Sequence, residues 1–182
     1  MSSKTLVGVV MTVVCVLIAR PARTDDKAER AKNAEAALAS LYAKVDGAKA
    51  LGAQAHAVLV FPKVTKAGFG IGGLHGEGAL MKDGKAAGYY DTSGGSFGLQ
   101  AGVQTYGYAL FFMNEKALQQ LDKADGFEIG VGPSVVVMDE GKAKQSTTTT
   151  MKDDIYAFIF GQKGLMAGIG LQGNKIAKVN PK

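Results

Sequence analysis

The chain has no tryptophan, a single cysteine and only two histidines. Cys15 lies inside an apolar run, so no intrachain disulfide is available, and removal of that run would leave no thiol for catalysis or metal binding. His75 and Glu77, two apart on a predicted strand, face the same way. With His56 the only other histidine, they fall short of the three or four ligands a zinc site uses. No nucleophile elbow, no HExxH and no motif-placed carboxylate pair occurs; Asp153-Asp154 reads as a solvated turn. Catalysis is disfavoured on these absences. Long apolar runs are also missing: the one from Thr5 to Ala19 covers 15 residues, short of the roughly 20 that a membrane span needs.

Lys4 precedes that run and Arg20-Pro21-Ala22-Arg23 comes after it. Residues 1–23 therefore read as a secretory signal peptide, with an uncut membrane anchor as the alternative. A cut after Ala22 would leave Arg20 where a small residue is wanted. Removing Lys4, Arg20 and Arg23 from the 21 basic residues leaves 18 against 16 acidic ones, a net of +2. The basicity of the whole chain is thus partly an address, and gives no support to nucleic-acid binding. Residues 24–182 read as one domain, long enough for one sizeable core.

What the chain has in abundance is glycine, 25 residues of it. Six fall between Gly68 and Gly78 in AGFGIGGLHGEGAL. In an extended chain Leu74, Gly76, Gly78 and Leu80 share one side, and His75, Glu77, Ala79 and Met81 the other. Each glycine costs roughly 0.5–1 kcal/mol relative to alanine, so six cost on the order of 3–6 kcal/mol. A close approach by another backbone, a helix or a ligand is needed to offset that. Gly68–Gly73 formally fits GxGxxG, with Asp91 where a ribose-binding acid could sit. The residues after Gly73 read as strand and hairpin rather than the helix whose N-terminus a pyrophosphate needs.

Thr24 to Ala55 has Ala31, Ala34, Leu38, Leu41, Val45 and Ala48 on one helical stripe, with breaks expected at Gly47 and Gly52. Its charges balance. It fits a helix laid against a sheet, or one lying on a membrane, which wants a basic polar face. Val58–Phe61 reads as a buried strand closed by Pro62, Asp83-Gly84 as a hairpin turn, and Thr92–Gly95 as another turn. Ser96–Met113 reads as one long bent strand or two, and Asn114 as the cap of a helix over 115–124. Phe127–Val131, Val135–Met138, Thr147–Thr150, Ile155–Phe160 and Leu165–Ile176 read as further strands, with Gly161–Gly164 a turn. Gly168-Ile169-Gly170 echoes Gly70-Ile71-Gly72, as though the two strands closed the sheet on itself. The sum is an α+β domain: a mostly antiparallel, glycine-rich barrel or sandwich of about eight or nine strands, with N-terminal helices and one short internal helix.

Charge location says more than charge total. Between Gly47 and Gly76 there are Lys49, Lys63 and Lys66 and no acid; from Ile155 onward there are Lys163, Lys175, Lys178 and Lys182 and no acid side chain. Between Glu77 and Asp154 there are seven basic against eleven acidic residues. Each Lys or Arg near an anionic membrane is worth about 1 kcal/mol, so such flanks suit weak, salt-sensitive attachment.

The order of Phe61-Pro62, Gly68-Phe69-Gly70, Gly76-Glu77-Gly78, Gly102-Val103-Gln104, Gly132-Pro133 and Lys163-Gly164-Leu165 resembles the SYLF domain family, over about Ala31 to Ile176. That family comprises lipid- and actin-binding domains of endocytic proteins, with exported bacterial members. The resemblance implies a non-enzymatic, membrane-binding domain without a cofactor. It carries Lys63 and Lys66 over as basic positions beside the Phe-Pro turn, and sets Asp25–Val45 where eukaryotic members have a lipid-binding amphipathic helix. The candidate lipid contacts are Lys63, Lys66, Lys49, Arg30 and Lys32, with no metal site. The expected function is anionic-lipid binding in the periplasm or cell envelope. A structural or protein-interaction module and an apolar small-molecule carrier are the alternatives.

Overall fold

The computed structural model describes residues 26–123, 125–131, 133–138, 152–164 and 171–182. The expected signal segment, the threonine run and the Gly168–Gly170 echo lie outside them. Helices α1 (Asp26–Lys44) and α2 (Asp46–Gly52) lead into β1 (Ala57–Lys82) and β2 (Lys85–Phe112). Then come a one-turn helix α3 (Glu115–Leu118), a 3-10 turn to Asp122, and strands β3 (Phe127–Glu128), β4 (Val135–Met138), β5 (Ile155–Gly164) and β6 (Lys175–Val179). The sheet runs β3-β6-β2-β5-β4, with β1 along the other edge of β2. Among the described strands, only β4 and β5 pair in parallel. The result is the mixed α+β, mostly antiparallel class expected, curled into a half-barrel.

Six strands are described: several of the eight or nine expected fuse, and others fall on residues outside the described ones. β1 has 26 residues and β2 has 28, joined by Asp83 and Gly84, both with positive φ, in the expected hairpin. Pro62 does not end a strand. The register shifts between Phe61 and Val64, so Pro62 and Lys63 leave the ladder where a missing N–H costs nothing. Thr92–Gly95 is likewise not a turn but paired strand, with Gly94 opposite Leu74 and Gly95 opposite Gly73. Gly161–Gly164 stays in β5 as a bulge. Gly161 takes a φ of 62°, and two β5 residues oppose one of β2 between Thr105 and Gly107.

Three further boundaries differ from expectation. The helices part at Val45, whose φ of −131° and ψ of 97° are extended, and not at Gly47, whereas Gly52 ends α2 as expected. The bend lets α2 restart and bury Ala48 and Leu51, while Gly52 is required by the Tyr42 ring lying where its Cβ would be. The strand expected over 127–131 shortens to two residues, because Gly130 at a φ of 101° turns the chain. Of the strand expected over Leu165–Ile176, residues 165–170 lie outside the described residues, and the rest turns at Gln172-Gly173 before pairing from Lys175. Asn114 caps α3 as expected, its side chain accepting from Ala117 N at 2.8 Å.

The glycine face does what its cost demands. A Cβ on Gly78 would lie 2.5 Å from the Val60 carbonyl oxygen, and one on Gly76 would lie 3.0 Å from that of Lys63. Glycines in the second half of β1 thus let its first half fold back over them, which is how the hairpin curls. Inside the curl, Leu59, Phe61, Val64, Leu80, Tyr90, Tyr106, Tyr108, Leu110 and Phe112 form one core. Outside it, α1 and α2 press Ala34, Leu41, Ala48 and Leu51 onto Val58, Val60, Ala79, Met81, Ala109 and Phe111. Both faces of residues 57–61 are covered, so that run is apolar throughout rather than alternating.

Candidate functional site

Asp91 stands directly opposite Glu77 in the β1–β2 register, and like charges so placed repel. Arg30, reaching from the first turns of α1, bridges them. Its Nη1 is 2.7 Å from Asp91 Oδ1, its Nη2 3.1 Å from Glu77 Oε1 and its Nε 3.4 Å from Asp26 Oδ1. Burial works to lower the Arg30 pKa, and the hydrogen bond to Asp91 with the charges of Glu77 and Asp26 outweighs it, so the guanidinium is held above its usual value. One cation is thereby enclosed by three carboxylates, and its charge is committed to holding α1 on the sheet.

The apolar stripe of α1 is committed as well. Ala34 is fully buried and Leu41 nearly so against β1 and β2. Among the described residues no helix is long and apolar enough to cross a membrane.

The remaining sequence-derived cations are exposed or half-buried, and make no ion pair among the described residues. The structure separates them. Lys63 lines a groove of about 580 Å³ between α1 and β1, together with Arg30, Asn33, Thr65, His75 and Glu77. Lys49 lines a different cleft, of about 540 Å³, between α2 and the β1–β2 turn. Lys32 is exposed on α1. Lys66 is opposite Gln104, and strand alternation turns it to the face where Val64 and Gln104 are buried, away from Thr65.

What the pairing does bring together is the two acid-free segments of the sequence. Lys66 of β1, Gln104 of β2 and Gly164 of β5 lie in one row across the sheet; Thr65, Thr105 and Lys163 lie in the next. The part of β2 between them belongs to a stretch, from Thr92 to Asn114, with no charged side chain. Lys163 therefore joins Lys63 and Lys66 at this end of the sheet. Its charge-poor segment was visible in the sequence, but its nearness to Lys66 depends on the β1–β2–β5 register.

The GxGxxG-like glycines lie wholly within β1, so no helix N-terminus comes after them. Among the described residues, no three His, Cys, Asp or Glu side chains gather as a metal ion would require. In the core the Tyr106 and Tyr108 rings stack, with centroids 6.4 Å apart. Tyr108 donates to Thr92 Oγ1 at 2.7 Å, and burial pushes its phenol pKa far up, against a smaller lowering by that hydrogen bond. Tyr106 beside it is raised by burial too.

A search of curated proteins returned no match. A family profile does match, over residues 93–181: Ysc84, described as Las17-binding protein actin regulator. The span holds Gly102-Val103-Gln104, Gly132-Pro133 and Lys163-Gly164-Leu165, whereas Lys63, Lys66, Lys49, Arg30 and Lys32 all precede it. Over residues 93–181 the chain therefore matches the Ysc84 family, the SYLF family that its motif order resembles.

Proposed function

We propose that this protein is an exported, non-enzymatic module that binds anionic phospholipid surfaces of the cell envelope. The observation that carries the reading is the convergence of the two acid-free segments. Lys63, Lys66 and Lys163 stand around an uncharged stretch of β2, with no acid among the residues that pair there. The nearest carboxylate in the groove, Glu77, is taken by Arg30. Three lysines at about 1 kcal/mol each amount to roughly a hundredfold in partition at low salt. Because α1 is packed and Arg30 enclosed, the strands rather than the first helix meet the head groups. Lys49 and Lys32, on other surfaces, add at most a diffuse attraction.

The test is vesicle flotation of the full chain across a series of phosphatidylglycerol contents in phosphatidylcholine. The apolar N-terminal run can add a charge-independent background, so the quantity read is the increment due to anionic lipid. Lys63→Glu/Lys66→Glu is expected to cut that increment by at least about thirtyfold, from two lost lysine contributions, and added salt to erode it in wild type. An increment equal in wild type and variant discards the proposal. The family description names a protein partner and actin regulation, which favours a protein-interaction module as the second reading; capture of one defined partner in lipid-free conditions would support it.

A further inference from the structure

β1 does not run straight past the lysines. Between Phe69 and Ile71 the register slips, Gly70 adopts a φ of 71°, and Gly68 and Gly72 are brought into backbone contact. The strand therefore turns a sharp corner, and the bulge leaves Phe69 and Ile71 both pointing outward on either side of Gly70. Phe69 is 87% exposed and Ile71 69%. Val103, beside them on β2 opposite Ala67, is 59% exposed. These are three of the five large apolar side chains found exposed among the described residues, and only here do they cluster. A lone exposed Val or Ile needs no explanation, whereas a Phe-Ile-Val group at the outermost bend of a ribbon marks an interaction site.

Charge identifies the occupant. Lys66 precedes Phe69 by three residues, about 10 Å along an extended strand, and Lys163 sits one row behind it. Lys66 is on one face of the ribbon and Thr65 and Lys163 are on the other, so no flat partner can meet all of them at once. A membrane entered edge-on can: the corner lies among the acyl chains, roughly 5–10 Å deep, while lysines from both faces reach the same plane of head groups. We infer that the Phe69-Gly70-Ile71 corner, with Val103, is a wedge that inserts into an anionic bilayer. This rests on the membrane reading above and adds the element that enters and the orientation it imposes.

The absence of tryptophan makes the test clean. Phe69→Trp in the full chain puts the only indole at the corner, and Val131→Trp puts it at another exposed site, 63% accessible and remote in sequence from the corner. With phosphatidylglycerol vesicles containing brominated phosphatidylcholine, Phe69→Trp emission is expected to shift blue and be quenched. That of Val131→Trp is expected to do neither. Phe69→Asp is expected to lower the anionic-lipid increment at least about tenfold, the loss of one buried phenyl. If the chain floats with a lysine-dependent increment but Phe69→Trp is not quenched, or Val131→Trp is quenched instead, the wedge is wrong and the membrane reading survives. If there is no anionic increment at all, both fall.

Discussion

Replacing Arg30 with alanine should cost more stability than any ordinary surface substitution. The guanidinium makes two close charged contacts across α1 and the sheet, at 2.7 Å to Asp91 and 3.1 Å to Glu77, and a longer one to Asp26 within the helix. A hydrogen bond between charged groups contributes about 1.5–3 kcal/mol when enclosed. Here the carboxylates keep 31–45% exposure and can be resolvated, so the low end applies to the sum rather than to each. To this is added the unmasked repulsion of Glu77 and Asp91, directly opposed in the ladder, at up to about 1 kcal/mol. The expected loss is roughly 2–3 kcal/mol, read as a lower urea midpoint with an unchanged slope. Arg30→Lys should recover less than half, because an ammonium cannot fork between two carboxylates. Because part of the loss is exposed like-charge repulsion, salt should restore some stability to Arg30→Ala and little to wild type. A loss below about 0.5 kcal/mol, or no salt effect, would show that α1 is held by its apolar stripe alone.

Two further perturbations probe the core and its glycines. Gly78→Ala puts a methyl 2.5 Å from the Val60 oxygen and 2.6 Å from the Phe61 ring, and should destabilise by about 1–3 kcal/mol. Gly73→Ala, whose nearest neighbour would be 3.7 Å away, should be neutral or gain up to about 1 kcal/mol; equal effects in thermal melts would refute the fold-back of β1. Burial raises the Tyr106 and Tyr108 phenols above their ordinary value, so the unfolded chain releases its protons first as pH rises. Stability should be full below about pH 10 and fall above it, and a melting temperature flat from about pH 9 to pH 11.5 would contradict the assignment.

Local chemistry was enough to read several parts of this protein directly. The helical stripe of residues 31–48, the Asp83-Gly84 hairpin, the Asn114 cap and the buried run Ile155–Phe160 all arise from neighbours a few residues apart. So does the division of residues 74–81 into two faces, because alternation is a property of any extended chain. The need for a close approach to the glycines could also be inferred, since their cost is intrinsic. What approaches them could not: it is the first half of the same strand, and that contact exists only once β1 has bent at Gly70.

The misjudged boundaries share one cause. Pro62, Gly94-Gly95 and Gly161 are turn residues by local preference, and each instead sits in a bulge or a paired strand because a long partner continues past it. The candidate surface shows the same division. That some segments carry lysine without acid was legible in the order of residues; that Arg30 is spent on three carboxylates, that Lys49 stands apart, and that Lys66 and Lys163 meet across β2 was decided by register. A one-residue change of pairing would reverse every face, so only the folded sheet determines which charges stand together and which apolar side chains are left at its corner.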